Sequence, residues 1–150
     1  ELVDGLVGSE MCIRDRDLIE KDSLAYEAVQ VGIKYKNEPA SNLHQHYGDM
    51  SPVHSLNNLA VVVWAFLSFQ DSFDEAIGET ICCGWDTDCT GATVGGLLGL
   101  DIGAIPESWT SPWQGRVQTA IAGVGELDLD SLVKRTCVLV DKFSSVADLS

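Results

Sequence analysis

The chain has 150 residues, 45% of them hydrophobic and 21% charged, which is enough apolar content for one domain with a real core and too much for a disordered chain. Acidic residues outnumber basic ones 23 to 9, for a formal net charge of -14. That balance argues against nucleic acid or an anionic membrane surface as partner, because both need Lys and Arg to neutralise phosphate. The most apolar run, Leu59 to Phe69, is too short to span a bilayer, and no signal-peptide pattern is visible. Five cysteines, an odd count that includes adjacent Cys82 and Cys83, point to reduced thiols and a cytoplasmic location.

Residues 2–16, which include LVGSEMCIRDR, show no clear apolar period and resemble translated sequencing-adapter sequence. Residues 1–16 are therefore expected to be a non-native segment, and the functional reading rests on residues 17–150. An amphipathic helix is predicted from Asp17 to about Lys36, with Leu18, Ile19, Ala25, Tyr26, Val29 and Ile33 roughly on one face. Residues 37–52 are polar, contain Pro39, Gly48 and Pro52, and read as a solvated loop carrying His44 and His46. Ser55 to Gln70 is apolar on every face, the mark of a central helix in an α-domain. His54 precedes that helix, as a helix-start or pocket residue; Asn57 and Asn58 are N-cap candidates first and ligand contacts second.

Ser72-Phe-Asp-Glu75 forms a capping box for a helix from Phe73 to about Cys83 that stops at Gly84. A second helix is predicted from about Cys89 to Leu100. Its glycines 91, 95, 96 and 99 would be offset by close backbone approach to a neighbouring helix or ligand. A short helical turn at Pro106 to Trp109, a helix from Pro112 to about Gly123, and a last helix from Ser131 to Phe143 capped by Asp130 complete the chain. With no strand ladder expected, the fold class is all-α.

The chemistry concentrates in the turn between the two middle helices. Asp86 or Asp88 alone would read as an N-cap placed favourably at a helix dipole. Together, two apart, they can converge on one hard cation such as Mg²⁺ or Mn²⁺, which takes oxygen ligands. An EF-hand is excluded because its twelfth position, counted from Asp86, is Leu97 rather than Glu. A P-loop is excluded because no Lys or Arg lies between Gly84 and Leu100. A zinc site on Cys82, Cys83 and Cys89 lacks CxxC spacing, so Cys82 and Cys83 are expected to be buried structural thiols.

The stretch GWDTDCTGATVGGLLG, Gly84 to Gly99, resembles the C-terminal signature of the ADP-ribosylglycohydrolase family, and PVHSLNNLAVVVWAFLSF and DSFDEAIGETICC resemble the helices that lead into it. The IPESWTSPW and GELDLDSLVKRT segments are similar to the family's tail. The resemblance implies the C-terminal part of an orthogonal multi-helix bundle, residues 17–150, with a site for two divalent cations, Mg²⁺ or Mn²⁺. It implies Asp86 and Asp88 as metal ligands, with Cys89 where many members have a hydroxyl and Thr90 or a backbone carbonyl as a substitute. Gly84 and Trp85 would face ADP-ribose, with Trp85 either stacking on a sugar or base or packing in the core, and His54 and Asn57 join as candidate substrate contacts. A further Thr-Asp-Asp cluster and the general base are expected in the family's N-terminal half, so this chain alone is expected to be inactive or nearly so. The substrate class implied is an ADP-ribosylated protein or small molecule; the rival is a non-catalytic member that serves as a structural protein or ADP-ribose or nucleotide binder.

Overall fold

A computed structural model describes residues 19–147, and the expected non-native segment, residues 1–16, lies outside the described residues. The described residues form seven α-helices, one 3-10 turn and one two-stranded hairpin, so the fold is overwhelmingly helical as expected. Contacts divide the chain into two compact units, one up to Ala104 and one from Ile105 onward.

The first unit holds α1 (Leu24–Lys34), α2 (Ser41–Tyr47), α3 (Ser55–Ser68), α4 (Phe73–Cys83) and α5 (Thr87–Ile102). Helix α3 is its hub and packs against each of the other four. Its uniformly apolar sequence explains this: Ala60, Val61, Val63, Trp64, Ala65, Phe66 and Leu67 are all buried, and each large side chain among them contributes about 1.5–3 kcal/mol through its removal from water. Trp64 keeps its polar edge satisfied by donating Nε1–H to the Glu38 carbonyl at 3.0 Å, and it meets Phe69 edge-on at 5.4 Å. Helix α1 lies so close to α3 that a Cβ on Gly32 would stand 2.7 Å from Val63 Cβ and 2.8 Å from the Ala60 carbonyl oxygen.

Helix boundaries follow local hydrogen-bond chemistry. Helix α1 starts at Leu24, later than expected, because the Ser23 hydroxyl accepts from Tyr26 N–H at 3.1 Å and caps it there. Residues 37–52 are not wholly a loop. Leu43 and Tyr47, one turn apart, bury one face of α2 against the core, and that pair outweighs the polar composition around them. Ser72 caps α4 as expected, with its hydroxyl accepting from Glu75 N–H at 3.3 Å, and Gly84 ends the helix with φ +85°. At α3 the cap is His54, not an asparagine: its Nδ1 accepts from Leu56 N–H at 3.2 Å. Cys83 is buried as expected, but Cys82, one residue back and about 100° round the helix, is exposed.

The second unit contains α6 (Glu107–Thr110), a 3-10 turn (Ser111–Trp113), the antiparallel strands β1 (Arg116–Gln118) and β2 (Glu126–Asp128), and α7 (Leu129–Ala147). The helix expected from Pro112 to Gly123 does not form. Gln114 and Gly115 are both left-handed, which breaks any helix there, and Val117 pairs with Leu127 in the hairpin instead. Arg116 and Glu126 form an exposed ion pair across the strands. The last helix begins at Leu129, and its capping carboxylate is Asp128 rather than Asp130. Asp128 Oδ1 accepts from Ser131 N–H at 2.9 Å, and the Ser131 hydrogen bonds, helped by Arg116 and Lys134, hold that carboxyl below its ordinary range. Among the described residues no helix is long and apolar enough to cross a membrane.

Candidate metal centre

The turn from α4 to α5 is built by two successive left-handed residues, Gly84 at φ +85° and Trp85 at φ +62°. Glycine adopts this conformation without steric cost, but a tryptophan does not, so the surroundings must hold Trp85 there. The chain then enters α5, with Asp86 at the N-cap position and Asp88 in the first turn. Asp86 makes no side-chain capping hydrogen bond. Its backbone carbonyl instead accepts from Thr90 N–H at 2.9 Å and from the Thr90 hydroxyl at 3.0 Å.

The Asp86 and Asp88 carboxylates and the Cys89 thiol each offer a ligand atom within 4.8 Å of the others. Ligands on opposite sides of one Mg²⁺ stand about 4 Å apart at metal–oxygen distances near 2.1 Å, so the three groups are spaced to meet on a single ion after small side-chain rotations. The two carboxylates suit a hard divalent cation, whereas the thiol suits a softer one. Cys89 is fully exposed on the α5 face. Its thiol is pushed up from its ordinary value, first by hydrogen bonding to the Asp86 carboxylate and then by the charges of Asp86 and Asp88. A bound cation would reverse those charge effects. Thr90 is buried and directs its hydroxyl back into the helix, toward the carbonyls of Asp86 and Thr87. Among the described residues this is the sole grouping of three or more acidic, His or Cys side chains that close together, so it could hold one ion rather than the two that the resemblance implies.

The other anticipated residues surround this centre unevenly. Trp85 is half-buried, packed on the core, with its ring 4.2 Å from His44 and edge-on to Tyr47 at 6.4 Å. His44 is exposed but lies on α2 rather than in a loop, and its Nε2 donates to the Cys83 carbonyl at 2.7 Å. His46 turns away to meet Tyr47 edge-on at 4.5 Å. The Tyr47 hydroxyl is raised from its ordinary value by burial and, secondarily, by Glu27. His54 sits exposed at the start of α3. Asn57 is fully buried, donating Nδ2–H to the Ser51 carbonyl at 3.1 Å and accepting from Asn58 N–H at 3.0 Å.

A shallow, mostly apolar groove of about 220 Å³ runs beside the centre, lined by Ser55, Asn58, Leu59 and Val62 of α3 and Cys89, Thr90 and Thr93 of α5. Sequence reasoning passed over most of this lining, and it gave Asn58 only a capping or ligand-contact role. Asn58 in fact accepts from Asp86 N–H through Oδ1 at 3.3 Å. The available signal was two adjacent amides inside an otherwise apolar helix, since buried polar side chains have to be hydrogen-bonded.

Of the glycines in α5, Gly91 and Gly95 do face a neighbour. Added Cβ atoms would stand 2.8 Å and 3.3 Å from the tips of Ile81 and Ile77 on α4. Gly96 faces open space. A protein-family model described as ADP-ribosylglycohydrolase matches residues 9–143, nine-tenths of the chain. No curated protein and no solved structure gives a significant match.

Proposed function

Since the chain belongs to the ADP-ribosylglycohydrolase family, we propose that it is part of a metal-dependent hydrolase that cleaves N- or O-glycosidic ADP-ribosyl bonds and releases ADP-ribose. The observation that carries this reading is the convergence of Asp86, Asp88 and Cys89 at the N-terminus of α5, within the family-matched span. Asp86 and Asp88 would hold a divalent cation, Mg²⁺ or Mn²⁺, with Cys89 as a third donor, since the Thr90 hydroxyl is committed to the Asp86 carbonyl. A cation held there by Asp86 and Asp88 would supply Lewis acidity for the hydrolysis. In the net reaction the water oxygen bonds to the ribose anomeric carbon, the C–N or C–O bond breaks, and the departing group leaves with a proton. Gly84 and Trp85 would flank the sugar, with exposed His54 as a further candidate contact, whereas Asn57 is fully buried and spends its amide on Ser51 and Asn58. The general base and the ligands of a second cation belong to residues other than those of this cluster. Unpaired Cys82, Cys83, Cys89 and Cys137 suit a reducing, cytoplasmic setting.

The test is ADP-ribose release from N- and O-linked ADP-ribosyl substrates by the protein expressed from its complete coding sequence. Turnover should require Mg²⁺ or Mn²⁺ and fall about 100-fold or more in Asp86→Asn or Asp88→Asn, the scale on which loss of an electrostatic stabiliser acts. Wild-type turnover in both variants would overturn the assignment. The thiol at position 89 favours one second reading, a non-catalytic binder of ADP-ribose. Metal-dependent affinity for ADP-ribose with no turnover of any substrate would select it.

A further inference from the structure

We propose that Asn58 and His44 are positioning residues that grip the α4–α5 turn from its two ends and so set the spacing of Asp86 and Asp88. The inference rests on the reading of that pair as a cation site. The turn is left-handed at Gly84 and at Trp85, a conformation that a tryptophan keeps only where its surroundings hold it. Two residues from other helices hydrogen-bond to it. From α2, His44 donates Nε2–H to the Cys83 carbonyl at 2.7 Å, which satisfies a helix-end acceptor, and lays its ring 4.2 Å from the Trp85 ring. From α3, the buried Asn58 accepts from the Asp86 backbone N–H.

The orientation of Asn58 leaves little choice. Its Nδ2 donates to the carbonyls of Pro52 and His54, each at 2.8 Å. With both amide hydrogens committed on that side, Oδ1 has to face Asp86 N–H. The turn before α3 therefore sets the Asn58 amide, the amide sets the Asp86 backbone, and the Asp86 backbone sets where its carboxylate begins. Thr90 completes the arrangement by holding the Asp86 carbonyl from within α5. Groups that orient metal ligands in this way typically govern affinity by 10–100-fold without touching the ion.

The experiment is a Mn²⁺ titration of this chain, followed by electron paramagnetic resonance, with hydrogen exchange at the Asp86 amide measured in parallel on the metal-free protein. We expect Asn58→Ala and His44→Ala to weaken Mn²⁺ binding about 10-fold or more and to speed exchange at Asp86, with helix content retained. His44→Gln, whose amide nitrogen can reach the Cys83 carbonyl, should restore much of the affinity. Ser72→Ala, which removes the cap of α4 far from the turn, should melt earlier and bind Mn²⁺ like the parent chain. If Asn58→Ala does not fold, the exposed His44 substitutions decide the matter. Unchanged affinity in folded Asn58→Ala and His44→Ala, alongside its loss in Asp86→Asn, would overturn the positioning role and leave the cation site standing. Equal Mn²⁺ affinity in the parent and Asp86→Asn would remove the cation site itself, and the positioning role with it.

Discussion

Asp86 occupies an N-cap position yet makes no capping hydrogen bond, so the usual stabilisation of about 1 kcal/mol from an aspartate cap is not realised there. A side chain kept at a helix start without that duty is available for another, and the proposed cation site would use it. Cys83, at the other end of the turn, shows the opposite case. It is buried against the core, and burial pushes its thiol from 9.0 up to about 11. Because the folded state favours the neutral thiol, this contribution to stability is complete below about pH 9 and is lost as pH rises toward 11. Chemical denaturation across pH 8–11 should show that alkaline decline, and Cys83→Ala should flatten it, at a lower overall stability. In the native chain a thiol reagent at neutral pH should modify exposed Cys82 and Cys137 ahead of Cys83.

At the scale of elements, glycines separate three situations that composition alone cannot tell apart. Gly32 faces backbone and a β-branched side chain of α3, neither of which can yield. Gly32→Ala should therefore lower stability by about 1–3 kcal/mol through overpacking. Gly91 faces only the flexible tip of Ile81, so Gly91→Ala should cost less. Gly96→Ala, in open space within α5, should raise stability by about 0.5–1 kcal/mol, since helical alanine forgoes glycine's entropy loss. Thermal or urea melts of the three variants give the ranking directly. Helices α3, α4 and α5 were legible in the sequence because their signals are local: a run of apolar residues, a Ser-x-x-Glu box, and a glycine stop. Asp86 and Asp88 were legible for the same reason. Helix α2 was not, because its only apolar anchors are Leu43 and Tyr47 among polar neighbours. The hairpin was missed because a left-handed pair at Gln114 and Gly115 is invisible to periodicity. The role of Asn58 escaped because its partner lies 28 residues away along the chain.

For the whole molecule, a net charge of -14 means self-repulsion that any salt will screen, so ionic strength and specific cation binding have to be separated. At matched ionic strength, Mn²⁺ at about 100 times its Kd should stabilise the chain by about 2.7 kcal/mol over NaCl. Asp86→Asn should melt like the parent without divalent cation and lose that excess with it, a comparison that differential scanning calorimetry makes in one series. The two compact units provide an internal standard, because the cluster of Asp86, Asp88 and Cys89 lies wholly within the first.

The hub position of α3 also bears on how the centre comes into being. Both hydrogen bonds that reach the turn from other helices, from His44 and from Asn58, come from residues that precede it in the chain, by 39 residues to Cys83 and 28 to Asp86. A ribosome therefore releases the two anchors before it releases the acidic pair. Local helices form within microseconds, whereas synthesis adds about 5–20 residues per second. The residues of α3, Asn58 among them, have therefore emerged before Asp86 does, and the turn is the last of these parts to be made. The order of the genetic text thus puts the scaffold of the turn first and its acidic pair last.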